Sequence, residues 1–221
     1  MSVRVVLLDV NETLFSLSAV RERFARTGLG AERLPGWFAG VLRDGFAIAA
    51  ADGFALFPEI AQVHLEALAR EQGLDDPAAV ASEVLGGFEE VEPHADTVAG
   101  LRSLQEAGHT VATFTNGTTA ITRTFLERIG AADLVDHVLD VTGPQLWKPH
   151  AAAYRWACDA VGVRRKEAAM VAVHPWDIQG AQRAGMTGCW VDRSGATAWP
   201  SFLPEPSVTV RRLDEVADAL A

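Results

Sequence analysis

The pattern of apolar and polar positions changes character twice along the chain. Val3 to Val10 (VRVVLLDV) is short, rich in β-branched residues and almost continuously apolar. A strand buried on both faces reads this way, and such strands belong to parallel sheets. From about Ser16 to Glu90 strand-like runs vanish. Ala, Leu, Glu and Arg recur at helical spacing, with Ile60, Val63, His64, Ala67 and Leu68 as one expected apolar stripe. Leu34-Pro35-Gly36 and Gly73 to Pro77 are read as breaks between helices.

After Pro93 the pattern alternates. Helices are predicted over 97–107, 120–129, 150–161 and 178–184, and strands over 110–114, 137–141, 170–173 and 187–191, with 208–210 and 214–220 finishing the chain. Asp96 is placed to cap the first of these helices, and Gly108 and Gly130 to end the first two. Repeated strand–helix alternation predicts an α/β fold: a doubly wound parallel sheet with a Rossmann-like core. The uninterrupted helical segment then reads as an inserted helical cap domain over 15–90, with the core built from 1–14 and 91–221.

Length and composition fit that picture. At 221 residues, 49% hydrophobic and 22% charged, the chain can bury a full core without disulfides or metals. A net charge of −10 and the lack of a basic stripe argue against nucleic-acid binding. The N-terminal apolar stretch is too short to span a membrane and lacks a signal-peptide cleavage pattern, so no membrane association and a cytoplasmic location are expected. Cys158 and Cys189 form no CxxC pair and no zinc-type array, and read as small buried hydrophobes in a reducing compartment.

In open parallel sheets, ligands bind beyond the carboxyl ends of the strands. Four strand ends carry chemical groups: Asp9 with Asn11, Glu12 and Thr13; Thr115-Asn116-Gly117; Trp147-Lys148-Pro149; and His174-Pro175-Trp176-Asp177. A carboxylate at the end of a buried strand can attack an electrophilic centre and form a covalent intermediate. A nearby lysine keeps it ionised and attracts an anionic small-molecule substrate. The hydroxyl of Thr115 and the amide of Asn116 can donate to an anion, and Asp177 can activate water. Each residue also has a plain alternative: a turn-capping Asp9, a simple Asn-Gly turn, a solvated Lys148, and Asp177 as cap of a helix beginning at Ile178. Taken singly, the plain readings win. All four at strand ends, in this order, favour a catalytic site.

That order resembles the haloacid dehalogenase superfamily, and within it the L-2-haloacid dehalogenase branch, over essentially the whole chain. The resemblance rests on DVNETLF from Asp9, FTNG from Phe114, WKPHAAAY from Trp147, Trp176-Asp177 with Gly180-Ala181, and CWVDRSG from Cys189. It implies that Asp9 displaces halide from a halogen-bearing carbon and that Asp177 helps water hydrolyse the ester. It implies that Thr13, Thr115, Lys148 and Tyr154 support the nucleophile or bind a substrate carboxylate, and that Asn116 and Trp176 line a halide cradle. A homodimer is what the branch suggests.

Several positions depart from that pattern. Asn11 stands where superfamily phosphatases carry a second Asp, and Ala172 where they carry an extra acid. With Asp9 and Asp177 as the only acids from these motifs, no metal site and no cofactor are expected, and magnesium is disfavoured. His174 stands where the branch has Asn, and is read as packing at the strand end or as orienting water or Asp9. Phe38, after Trp37, occupies the place of the branch's cap arginine, and Arg43 lies further along the same helix on another face. Asn11, His174, Phe38 and Arg43 are thus candidate substrate contacts. Three readings result: an (S)-2-haloacid dehalogenase-like hydrolase, a phosphatase-like relative with a weak magnesium site, and a non-catalytic small-molecule-binding relative. Asn11 and Ala172 count against the second. The joint presence of Asp9, Lys148 and Asp177 counts against the third.

Overall fold

The structure, a computed structural model, describes residues 2–196 and 198–221. Two compact units appear. One comprises residues 1–15 and 93–221, the other residues 16–92. The boundaries read from the sequence lie one or two residues earlier.

The first unit is built on a six-stranded parallel sheet of β1 (Val5–Leu8), β2 (Thr110–Thr115), β3 (His137–Asp140), β4 (Ala168–Ala172), β5 (Thr187–Val191) and β6 (Val208–Val210). Its order is β3-β2-β1-β4-β5-β6. β1 is central and fully buried, which explains its unbroken run of aliphatic residues. It pairs with β2 through Leu8 opposite Thr113 and with β4 through Leu8 opposite Val171. Chain order reverses beside β1, so the crevice at its carboxyl end is the topological switch point. β1 is shorter than the apolar stretch that announces it, because Val10 already belongs to the loop that follows.

Numbering helices along the whole chain, α5 (Thr97–Glu106) packs on β2, α6 (Thr119–Arg128) on β3, and α8 (Pro175–Ala184) on β4 and β5. α7 (Ala151–Ala160) packs on α8, and α9 (Val216–Ala219) on α5. Two expected caps are not made. Asp96 precedes α5 without capping it. Its carboxylate instead accepts from the Arg193 guanidinium at 2.9 Å and from the Leu213 backbone N–H at 2.7 Å. Asp177 does not cap a helix at Ile178, because α8 begins at Pro175 and Asp177 lies inside its first turn. Proline's fixed φ suits that first-turn position.

The second unit is helical: α1 (Ser18–Arg26), α2 (Leu34–Ala50), α3 (Phe57–Glu71) and α4 (Pro77–Leu85). Pro35 and Gly36 sit in the first turn of α2 rather than between helices, since proline is tolerated there. The buried stripe of α3 is Phe57, Ile60, Ala61, Leu65 and Ala69, while Val63 is 66% exposed. The expected stripe was therefore rotated. Phe24, Trp37, Phe38, Phe57 and Phe88 form the aromatic centre of this unit. Phe38 is buried within it. Arg43 is exposed and pairs with Asp44 at 2.7 Å, and Asp44 also contacts His64 at 2.7 Å. Among the described residues no helix is long and apolar enough to cross a membrane.

Candidate active site

Asp9 follows β1 directly, and its backbone N–H continues the ladder by donating to Val171 O at 2.9 Å. The carboxylate is thereby fixed at the switch point, and the residue is only 3% exposed. Its two oxygens have different neighbours. Oδ1 accepts from Lys148 Nζ at 2.9 Å. Oδ2 accepts from Thr13 Oγ1 at 2.8 Å and lies 3.0 Å from His174 Nδ1.

Lys148 is wholly buried, not a solvated surface lysine. Its ammonium also donates to Asp177 Oδ2 at 2.6 Å and to the Phe114 carbonyl at 2.7 Å. Asn116 anchors the lysine backbone: its amide donates to Lys148 O at 3.0 Å and accepts from Lys148 N at 2.9 Å. Thr115 turns its hydroxyl to the Gly117 N–H at 2.9 Å. Tyr154, buried on α7, donates to Asp177 Oδ1 at 2.6 Å. Both oxygens of the fully buried Asp177 therefore have protein partners.

His174 joins this cluster at the end of β4. Its side chain is 15% exposed, and its Nε2 lies 3.1 Å from Glu12 Oε2. The Trp176 ring stacks on it at 5.1 Å. Glu12 has a left-handed backbone (φ 62°), and its carbonyl lies 2.9 Å from His94 Nε2. The structure thus brings together Asp9, Thr13, Lys148, Asp177, Tyr154, Asn116 and His174, with Trp176 against the His174 ring. Asn11, half-buried, lies in the same loop and bridges to Phe15. The hydroxyl of Tyr154 and the carbonyl of Asn116 are turned to the protein. Their positions suit support of Asp177 and Lys148 rather than contact with a ligand.

Two participants escaped the sequence reading. Glu12 was named only among the groups that follow Asp9 and was given no role, yet it forms the outer partner of His174. Arg193 links Asp96 to the loop after β1 by donating to Thr13 O at 2.7 Å. The CWVDRSG stretch carried that arginine, but nothing local points it at Asp96, 97 residues away in sequence.

The electrostatics follow from burial and pairing. Burial alone would raise the Asp9 carboxyl; the Lys148 ammonium and the His174 ring outweigh it and hold Asp9 well below the usual carboxylate range. Burial, reinforced by the charge of Asp9, raises Asp177 above its ordinary value despite Lys148. Burial pulls Lys148 down, but Asp177 and Asp9 more than reverse that and raise it. Burial and Asp177 push the Tyr154 hydroxyl well up. His174 is likewise opposed by burial and raised to about 9 by Asp9 and Glu12. Asp9 is thus an ionised carboxylate facing one ammonium and one imidazolium.

This donor set does not suit magnesium. A hard octahedral ion needs several carboxylate or carbonyl oxygens. Here the lysine ammonium bridges Asp9 and Asp177, and an imidazole nitrogen meets the other Asp9 oxygen. Among the described residues no group of His, Cys, Asp and Glu has the arrangement of a metal centre.

A buried carboxylate at the switch point of a parallel α/β sheet, paired to a lysine from a distant loop, defines a hydrolase of the Rossmann-like class. The haloacid dehalogenase-like hydrolase family model matches residues 3–185, and the chain belongs to that family. It is 27% identical to the (S)-2-haloacid dehalogenase of Pseudomonas sp. (strain YL) over 86% of this chain and 83% of that protein. It is 28% identical to haloacetate dehalogenase H-2 of Moraxella sp. (strain B), over 59% of this chain and 58% of that relative. The fold matches the L-2-haloacid dehalogenase of Xanthobacter autotrophicus with a TM-score of 0.86 at 20% identity, covering 98% of this chain and 97% of that one.

Proposed function

We propose that the protein is an (S)-2-haloacid dehalogenase-like hydrolase acting on a small halogenated carboxylate, with Asp9 as nucleophile and an ester intermediate. The observation that carries this reading is the Lys148 ammonium on Asp9 Oδ1, 2.9 Å away in a buried site. It keeps the carboxylate ionised, as a nucleophile must be, and gives the site a fixed positive group. Thr13 and His174 orient the other oxygen. Displacement forms an Asp9 oxygen–carbon bond, breaks the carbon–halogen bond and expels halide. Water then cleaves the ester and returns a hydroxy acid. Asp177, Tyr154 and Asn116 hold the lysine in place, and Asn11 and Trp176 are the substrate contacts that this unit supplies.

The phosphatase reading is weaker. Asn11 has no acidic proton to give a leaving alkoxide, and Lys148 and His174 take up the carboxylate oxygens that magnesium would need. The test is halide release from haloacetates and from each enantiomer of 2-halopropionates, beside phosphate release from a panel of phosphate esters. Halide release that Asp9→Asn abolishes, in a sample checked for deamidation, supports the proposal. Phosphate release without halide release overturns it.

A further inference from the structure

Asp177 is poorly placed to activate water. Its side chain is fully buried, Oδ1 accepts from Tyr154 at 2.6 Å, and Oδ2 accepts from Lys148 at 2.6 Å. Among the described residues, the one side chain hydrogen-bonded to Asp9 that also keeps some exposure is His174, with Nδ1 3.0 Å from Asp9 Oδ2 and Nε2 3.1 Å from Glu12 Oε2. The Glu12 side chain is 43% exposed, so the chain Asp9–His174–Glu12 runs from the buried nucleophile toward solvent.

Resting on the dehalogenation reading, we propose that His174 is the catalytic general base that hydrolyses the Asp9 ester, with Glu12 as the positioning residue that orients its ring and fixes the Nε2–H tautomer. Lys148 holds Oδ1, where negative charge develops during hydrolysis, which leaves Oδ2 to attack the substrate. When Oδ2 becomes an ester oxygen, Asp9 loses its charge. The imidazolium has then lost one of the two carboxylates that stabilised it, and its Nδ1 proton passes to water and on to solvent while Glu12 keeps Nε2–H in place. The neutral ring keeps Nε2–H toward Glu12 and presents the Nδ1 lone pair to a water beside the ester carbon.

The atoms balance. Water passes one proton to Nδ1 while its oxygen bonds to Cγ of Asp9. The Cγ–Oδ2 bond breaks, and Oδ2 takes the proton from Nδ1 and leaves as the hydroxyl of the product. The carboxylic acid left on Asp9 returns its proton to His174, restoring the starting pair. One proton is released per turnover, matching the acid expected from a halide, water and an alcohol product. The charged groups around the ring are Asp9 and Glu12 in contact and Lys148 across Asp9, and His94 lies on the Glu12 carbonyl.

The experiment is single- and multiple-turnover dehalogenation followed by halide release and by intact-protein mass, with wild type, His174→Asn, Glu12→Gln and Glu12→Asp. Wild type should turn over. His174→Asn should release one halide per protein, accumulate an ester on Asp9, and hydrolyse it about 10²-fold more slowly or worse, the usual contribution of a general base. Glu12→Gln should slow ester hydrolysis and shift its pH inflection downward, and Glu12→Asp should recover part of both. If wild type releases no halide, the dehalogenation reading falls and this inference with it. If wild type turns over but His174→Asn shows unchanged hydrolysis, or fails to release the first halide while folded, the inference falls alone. Should His174→Asn not fold, the Glu12 pair decides: an unmoved pH inflection overturns the assignment.

Discussion

The ammonium of Lys148 lies 2.6 Å from Asp177 Oδ2, and both side chains are fully buried. This pair is the centre from which the rest of the site is held. Tyr154 is braced on the outer oxygen of Asp177, and Asp9 takes the remaining face of the ammonium.

Removing the lysine should therefore cost stability as well as activity. In Lys148→Met, Asp9 and Asp177 would share a buried site with no ammonium between them, and breaking a buried pair in this way costs about 3–5 kcal/mol. The pH dependence has a definite sign. The folded-state carboxyl of Asp9 is depressed below its ordinary 3.8, so it contributes stability above that pH, lost as pH falls through the folded value. The variant loses this contribution, so its deficit should be large at pH 7 and smaller at about pH 3, below the ordinary carboxyl value. Denaturant titrations at the two pH values test this. Equal deficits would show that Lys148 does not set the charge state of Asp9.

Gly180 on α8 is a second point of leverage. A Cβ there would lie 2.6 Å from the Tyr154 hydroxyl and 2.7 Å from the Pro149 carbonyl. The carbonyl is backbone and cannot swing aside, so the tyrosine must leave Asp177 or α8 must shift. Gly180→Ala should cost about 1–3 kcal/mol, as overpacking does. It should also lower kcat more than it raises KM, because Tyr154 supports the Asp177–Lys148 pair. Wild-type kinetics in a folded Gly180→Ala protein would mean the Tyr154–Asp177 contact is dispensable.

Arg193 connects the site to the far end of the chain. It donates to both oxygens of the buried Asp96 and to the carbonyl of Thr13, whose hydroxyl holds Asp9. Arg193→Met would leave Asp96 with the Leu213 N–H as its remaining described partner. With the arginine 22% exposed, the expected loss is about 2–3 kcal/mol. Loss of the Thr13 tether should also lower the rate of the first halide release. A stability change with an unaltered burst rate would confine Arg193 to folding.

The sheet was legible because its strands are buried on both faces and keep their apolar runs, as at Val5–Leu8 and Ala168–Ala172. The expected strand 187–191 coincides with β5. Capping was less legible. Asp96 has the local sequence of a cap, but a guanidinium from 97 residues away competes for its carboxylate and wins. The α3 stripe failed for a different reason. Its helix carries apolar residues on more than one face, so the buried face depends on neighbours such as α2 and α4. Within the site, Asp9, Lys148 and Asp177 were readable from strand-end placement. Glu12 was not, because its role depends on a left-handed backbone at that position and on His174, which lies 162 residues away.

The charge on His174 can be tested without any substrate. The ordinary value of a histidine is 6.5, and contact with Asp9 and Glu12 raises this one to about 9 against the opposing effect of burial. A group whose folded value is raised stabilises the protein fully below its unfolded value and loses that contribution as pH rises through the folded value. His174 should therefore add about 3 kcal/mol at pH 6 that fades between pH 6.5 and 9 and is absent by pH 10. Cys158 and Cys189, pushed up by burial to about 11 and about 12, also weaken the fold as pH climbs past 9, so the comparison must be made against a variant that retains them. His174→Gln serves, because its amide nitrogen can still donate to one of the two carboxylates but carries no charge. Denaturant unfolding of both proteins across pH 6 to 10 should show a stability difference that shrinks as pH rises. A difference that stays constant across that range would mean the ring is neutral beside Asp9, and that the two carboxylates do not hold a proton between them.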